Sequence, residues 1–407
     1  MTTMTYRPFS RRVQADPYPY YRELRAHAPV YHLPEEQLWV LTRYDDVVAA
    51  LRDPQVFSSQ RGMSDMMLGR STRTGEQVPE FLADMIGRRL LIAADPPDHG
   101  VLRRLTGKVF TPRAIAQLEP RIRRITGELV DHLIDAGDDG DLVEHLANPL
   151  PVIVIAELLG IPGERREDFK RWSDSLVGAL SGSLAMEAMQ ADSTEMFTFF
   201  SDAVSERAQS PGEDLISLLV TRGNDDGAAL GPVEIILFCI LLLIAGNETT
   251  TNLIGNGARA LWDHPDQARR LVADPSLISA AVEETLRYDS PVQSLFRGTT
   301  TDATLPSGGK IPAGARVMVC FGSANRDETH FPSAEEYIVD RDPKDHVAFG
   351  SGIHFCLGAP LARLETRVAA ETLLSRLRSL EPAGEPERVD SFILRGYSSL
   401  PAHAKSR

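Results

Sequence analysis

The longest apolar run in the chain, Ile235-Ile236-Leu237-Phe238-Cys239-Ile240-Leu241-Leu242-Leu243-Ile244-Ala245-Gly246, has no polar face. A helix that is apolar all round must be covered on every side, so this stretch predicts a helix in the middle of a large protein. The run falls short of the roughly 20 apolar residues that span a bilayer. Asn247-Glu248 closes it with a polar break, and the helix is expected to extend from Pro232 to about His264. Most of the remaining pattern is amphipathic helix, over 17–29, 45–51, 114–160, 163–210, 276–289 and 360–378. Strand-like runs are few. Val30–Leu33 and Leu38–Leu41 flank Pro34-Glu35-Glu36 as a hairpin. Phe296–Val319 is β-like, with turns at Pro306-Ser307-Gly308-Gly309 and Pro312-Ala313-Gly314. Ser391-Phe392-Ile393-Leu394 predicts a last hairpin. The class is therefore mainly α with small β-sheets (α+β), the β regions lying at about 30–42, 294–319 and 390–400.

Composition adds limits. The balance of 43% hydrophobic and 25% charged residues over 407 positions allows a large core. No repeats or low-complexity linkers divide the chain, so a single unit over 1–407 is expected. A net charge of −14 argues against nucleic acid as a partner. Cys239, Cys320 and Cys356 give no disulfide framework and suit a reducing compartment. The polar Met1–Ser10 has no apolar run that could act as a signal or anchor. Two stretches rich in small or methionine residues, 61–89 and 178–183, read either as surface loops or as mobile walls over a pocket.

Chemistry concentrates in four places. Phe349-Gly350-Ser351-Gly352-Ile353-His354-Phe355-Cys356-Leu357-Gly358 puts a cysteine in a glycine loop just ahead of a helix opening at Ala359-Pro360. A helix N-terminus favours thiolate over thiol, so Cys356 is a metal ligand or a nucleophile. A zinc site lacks the further spaced ligands it would need. Ala245-Gly246-Asn247-Glu248-Thr249-Thr250 places glycine and polar side chains in the buried helix. The acid–hydroxyl pair Glu248-Thr249 is a short proton relay or, equally, part of a self-satisfied kink. His99 and Arg103 share one face of a helix that starts at Asp95-Pro96-Pro97-Asp98. They form a solvated basic face, or an anion clamp if an anionic cofactor lies near. Glu284 and Arg287 can ion-pair at i and i+3, a structural reading. Between Arg103 and Arg124 seven Lys or Arg stand against the one acid Glu119, a basic patch in an acidic protein.

In this order, from about Asp16 to the C-terminus, the cysteine loop, AGNETT, Glu284-x-x-Arg287 and the DPPDH…R of 95–103 resemble the cytochrome P-450 family, the haem-thiolate monooxygenases, of the soluble bacterial type. The resemblance implies a triangular, helix-rich domain with the central helix over haem b. It implies Cys356 as proximal iron ligand, tuned by the amides of Leu357 and Gly358, with Phe349 packed on the haem. His99, Arg103, Arg297 and His354 match propionate-binding positions, and Ala245 and Gly246 lie beside the ring. Glu248 and Thr249 match the pair that delivers protons to dioxygen, and Arg341 completes the buried Glu284–Arg287 cluster. Two departures, Tyr337-Ile338 for the usual Phe-Asp and Glu328 for a common proline, bear on local loop shape.

The implied activity is insertion of one atom of O2 into a lipophilic small molecule, by hydroxylation or epoxidation, in secondary metabolism or catabolism. No Gly-x-Gly-x-x-Gly is present, so electrons are expected from a ferredoxin with its reductase. Arg103, Arg104, Lys108 and Arg113, with Arg363 and Arg367, form the expected docking face. Substrate walls are expected from 62–90, 172–200, Phe238–Ala245, Val292–Phe296 and Phe392–Leu394. The protein is expected to be a cytoplasmic monomer with no nucleic-acid or membrane partner. Rival readings are a peroxide-using oxygenase, isomerase or coupling enzyme on the same scaffold, and a haem sensor.

Overall fold

The computed structural model of the chain describes residues 6–62, 90–107, 110–181, 186–222 and 230–407. Its central helix spans Pro232–Asp263. Proline suits the first turn, and the Glu234 carboxylate accepts the Gly231 N–H at 2.6 Å, satisfying one of the end's orphan donors. Ile235 to Ile240 are all buried, as an all-apolar face requires. The helix packs against Pro149–Leu158, Arg166–Ser181, Met186–Gln209, Ile278–Tyr288 and Ala359–Arg376.

The helix runs on through the polar residues Asn247-Glu248 for 32 residues in all, as the expected span to about His264 requires. Several of its polar side chains find partners on other elements. Asn247 donates to Ser173 Oγ at 2.9 Å, Thr251 to the Ala147 carbonyl at 3.0 Å, and Asn256 to the carbonyls of Asp289 and Arg395 at 2.9 Å each. A buried polar group that is hydrogen-bonded costs little, so the ladder need not open. Uninterrupted, the helix is long and apolar enough to cross a bilayer, with a mean hydropathy of 1.8 over 18 residues. It lies instead among other helices.

The 114–160 pattern resolves into Pro112–Asp135 and Pro149–Leu158. Between them Gly137 takes a φ of +57°, and Asp141 Oδ1 accepts the N–H groups of Val143 and Glu144 at 2.7 and 3.1 Å. The 163–210 pattern likewise forms two helices, Arg166–Ser181 and Met186–Gln209.

Strands β1 (Val30–Leu33), β2 (Leu38–Leu41), β3 (Phe57–Ser58), β4 (Ser294–Thr299) and β7 (Arg316–Cys320) make one sheet in the order β1-β2-β7-β4-β3. β1 and β2 are the predicted hairpin, with Val30 opposite Leu41, and β2 runs parallel to β7. Short pairs β5 (Ala303–Thr304) with β6 (Lys310–Ile311), β8 (Leu377–Pro382) with β11 (Ala402–Ser406), and β9 (Glu387–Arg388) with β10 (Tyr397–Ser399) complete the β structure. The final hairpin expected at Ser391–Leu394 forms from β9 and β10, with that run in the connection between them. That run makes one bridge, Leu394 to Val292, and Phe392 instead packs edge-on against Phe9 and Phe296, at 4.9 and 6.1 Å between centroids.

Glu284 and Arg287 are fully buried and joined by two bonds of 2.7 and 2.8 Å. Arg341 Nε and the Ile338 N–H also donate to Glu284 Oε1, at 3.0 and 2.9 Å. Arg287 donates onward to the carbonyls of Asn325, Ala334 and Glu336. The two departures from the family pattern are accommodated. The Tyr337 hydroxyl bonds Thr285 Oγ1 at 2.9 Å, and Glu328 pairs with the buried Arg25 at 2.9 Å.

Replacing Arg287 by Ala leaves the Glu284 charge buried and three carbonyls short of a donor, and should lower the unfolding free energy by roughly 3–5 kcal/mol in urea titration. Glu365, on Ala359–Arg376, is buried with Oε2 unpartnered, and burial lifts its carboxyl to about 8. Between the unfolded value near 4.5 and about 8 the folded state keeps a proton the unfolded chain releases, so stability falls as pH rises through that window. Glu365→Gln should flatten that slope and be the more stable form at pH 8, by roughly 1–3 kcal/mol in denaturation at pH 5 and pH 8.

Candidate functional site

The cysteine loop is shaped by two glycines at positive φ, Gly350 at +73° and Gly352 at +71°. A Cβ on Gly352 would sit 2.5 Å from the Leu51 carbonyl oxygen, so the loop is pressed onto the helix Tyr44–Arg52. The Cys356 N–H donates to the Phe349 carbonyl at 2.9 Å, closing the loop, and Ala359–Arg376 begins three residues later. Burial pushes the Cys356 thiol up, against the N–H groups of Gly358 and Ala359 and the guanidiniums of Arg103 and Arg363, which pull it down. Before any metal is bound, desolvation at this sulfur works against the helix N-terminus that the sequence offers as a source of thiolate. A metal cation reverses that balance, since a coordinated thiol is deprotonated outright.

Four basic side chains gather within electrostatic reach of one another and of that loop. His99 is buried on Asp98–Gly107, and its ring centroid lies 4.4 Å from that of His354. Arg297, 6% exposed on β4, donates only to the neighbouring Phe296 carbonyl, at 2.8 Å. Burial lowers Arg297 to about 10, and burial with the charges of Arg297, His99 and Arg103 lowers His354 to about 3. His99 and Arg103 are also lowered, chiefly by burial. The carboxylate whose charge reaches Arg297 and His99 is Asp95, and it is already engaged by the Ser59 N–H at 2.9 Å and by Ser58. His99 Nε2 and His354 Nε2 have no hydrogen-bond partner. Two arginines and two imidazoles short of anions, beside a cysteine on a helix N-terminus, fit a flat ligand that carries two carboxylates and a metal, as haem b does.

On the central helix the Thr249 hydroxyl donates to the Ala245 carbonyl at 2.7 Å. Ala245 is exposed, and Gly246, Glu248 and Thr249 are half-buried, in contrast to the buried run Ile235–Ile240. Gly246 faces the tip of an isoleucine side chain that a larger residue would push aside. A Cβ there would lie 2.4 Å from Cδ1 of Ile155, on the neighbouring helix Pro149–Leu158. Asn247 ties the same turn to Ser173 on Arg166–Ser181.

Of the residues expected as walls, Val292 and Leu394 meet, and Phe296 and Phe392 pack together. In 172–200, Trp172 and Phe200 pack with Phe169 in the core. Residues 63–89 of the expected 62–90 wall, and 182–183 of the expected 178–183 stretch, lie outside the described residues.

The basic patch is largely neutralised. Arg121 pairs with Glu157, Arg124 with Glu128, and Arg363 with Glu283. Arg123 and Arg367 each pair with both Glu119 and Glu371, in a closed ring joining Pro112–Asp135 to Ala359–Arg376. Of the expected docking residues Arg104 and Arg113 remain exposed, and Lys108 lies outside the described residues.

A sequence model of the family described as Cytochrome P450 matches residues 29–401. The vitamin D(3) 25-hydroxylase of Pseudonocardia autotrophica is 42% identical over 399 residues, covering 97% of this chain and 95% of that one. Among solved structures, cytochrome P450 CYP109Q5 from Chondromyces apiculatus superposes with a TM-score of 0.87 at 41% identity, covering 98% of both chains. CYP109E1 from Bacillus megaterium, in complex with testosterone, gives a TM-score of 0.83 at 37% identity over 97% of this chain and 99% of that one. The chain belongs to the cytochrome P450 family: it has that family's fold, binds haem b and is a monooxygenase.

Proposed function

We propose that this monooxygenase oxidises a lipophilic guest of roughly steroid size, taking its electrons from a separate ferredoxin and reductase. The observation that carries the assignment of roles is the gathering of His99, Arg103, Arg297 and His354, with two orphan imidazole nitrogens, around a half-buried cysteine. Cys356 holds the iron. The four basic side chains hold the propionates, each charge-assisted bond being stronger than a neutral one. Gly358 offers its N–H to the sulfur, and Phe349 covers it. Ala245 and Gly246 keep the central helix low beside the ring. When bound, haem b supplies reductive activation of dioxygen, one atom entering the substrate and the other leaving as water with two electrons and two protons. Thr249 positions a hydroxyl at that turn of the helix, anchored on the Ala245 carbonyl, and Glu248 carries protons to it from solvent.

The guest's chemistry follows from the half-buried apolar residues Leu241, Leu242, Ile244, Leu295, Phe392 and Ile393. Its size follows by analogy with the two relatives whose names specify vitamin D(3) and testosterone. The exposed Arg104 and Arg113 face an acidic electron donor. We place the enzyme in the cytoplasm as a monomer whose whole length forms one functional unit.

Thr249→Ala should lower product formed with O2 and electrons by roughly 10²-fold while leaving peroxide-driven turnover within a factor of about two; equal losses in the two assays would defeat the relay. Arg104→Glu with Arg113→Glu should slow reduction by ferredoxin about tenfold at low salt, with the difference shrinking as ionic strength rises in stopped-flow traces.

A further inference from the structure

Beside the cysteine loop, side chains from three parts of the chain form a line of charge that ends on the ring of Phe349. Glu283 comes from Ile278–Tyr288, His346 from the irregular segment before the loop, and Arg363 from Ala359–Arg376. Arg363 Nε and Nη2 donate to the two Glu283 oxygens at 2.6 and 2.8 Å, a planar fork on a carboxylate. The His346 Nδ1 accepts the Ala348 N–H at 3.2 Å, so its Nε2 is the donor to Glu283 Oε2, at 2.9 Å. With Nε and Nη2 engaged by Glu283, the Arg363 guanidinium lies 4.6 Å from the Phe349 ring centroid, within cation–π range. Phe349 is thus held at both ends, by Arg363 at the ring and by the Cys356 N–H at its carbonyl.

This arrangement does not suit a docking residue. An acidic partner would have to displace Glu283, whose carboxyl its partners hold down at about 2 although burial opposes them. It suits a charge placed for its neighbour. The guanidinium acts on the Cys356 sulfur through space, and Glu283 offsets part of that field.

We propose that Arg363, gripped by Glu283 and His346, is a positioning residue that fixes Phe349 against the cysteine loop and sets the reduction potential of the haem held there. The inference rests on Cys356 being the iron ligand. Reduction adds an electron, so a nearby cation favours it and a nearby anion opposes it.

The test is a spectroelectrochemical titration of the substrate-free holoenzyme. R363Q should lower the midpoint potential, E283Q should raise it, and the double variant should fall between them. R363K keeps the charge but loses the fork, and should stay closer to wild type than R363Q. Single variants shifting in the same direction would mean general loosening and would overturn the proposal. So would unchanged potentials with a salt-dependent loss of ferredoxin reduction. If E283Q does not fold, R363Q against R363K decides, equal shifts counting against the proposal. The red-shifted Soret band of the reduced carbon monoxide complex in the wild type reports the thiolate ligand independently, so failure of that assignment is distinguishable from failure of this one.

Discussion

The segment from Asn325 to Arg341 has no helix or strand, and beside its local turns one buried ion pair takes up several of its backbone polar groups. Arg287 satisfies three carbonyls of the segment while Glu284 takes a backbone N–H and the Arg341 Nε from it. Neither charge could be buried alone, since each would lose several kcal/mol of hydration. Paired, they convert that cost into a fixed course for seventeen residues of irregular chain. Asn325 passes the order on, donating to Ser290 Oγ and accepting the Val347 N–H two residues before the cysteine loop begins. The position of Cys356 thus depends on a contact made on Ile278–Tyr288, far from the sulfur in sequence.

That dependence explains what could be read from the residues alone. The cysteine loop, the His99/Arg103 face and the Glu284/Arg287 pair are local spacings, and all three are legible as motifs. The central helix is legible because twelve apolar residues in a row leave no alternative to burial. What escapes is pairing across long separations. Arg123 looks like part of a basic patch until Glu371, 248 residues away, closes on it. Asn247 looks like a break until Ser173 arrives from another helix. The Ser391–Leu394 run looks like a strand because its apolar residues are needed against Phe9 and Phe296, not because it pairs.

The closed ring of Glu119, Arg123, Arg367 and Glu371 changes the character of the surface around it. Two cations and two anions in alternation cancel within a few ångströms, so little field reaches past a Debye length. Long-range attraction of an acidic partner is left to isolated exposed cations, while the ring ties together two helices near the cysteine loop.

The two halves of the central helix are held by different physics. From Ile235 to Leu243 the contacts are apolar and non-directional, whereas Asn247, Thr251 and Asn256 are hydrogen-bonded at fixed points on other elements. Mechanically this is a beam clamped at its far end and bedded in a soft medium at the near one. Side chains in the bedded half can repack around guests of different outline at small cost, while the clamped half keeps Thr249 from following them. Freedom to repack and fixity of position are thereby separated along one helix, the first before Gly246 and the second after it.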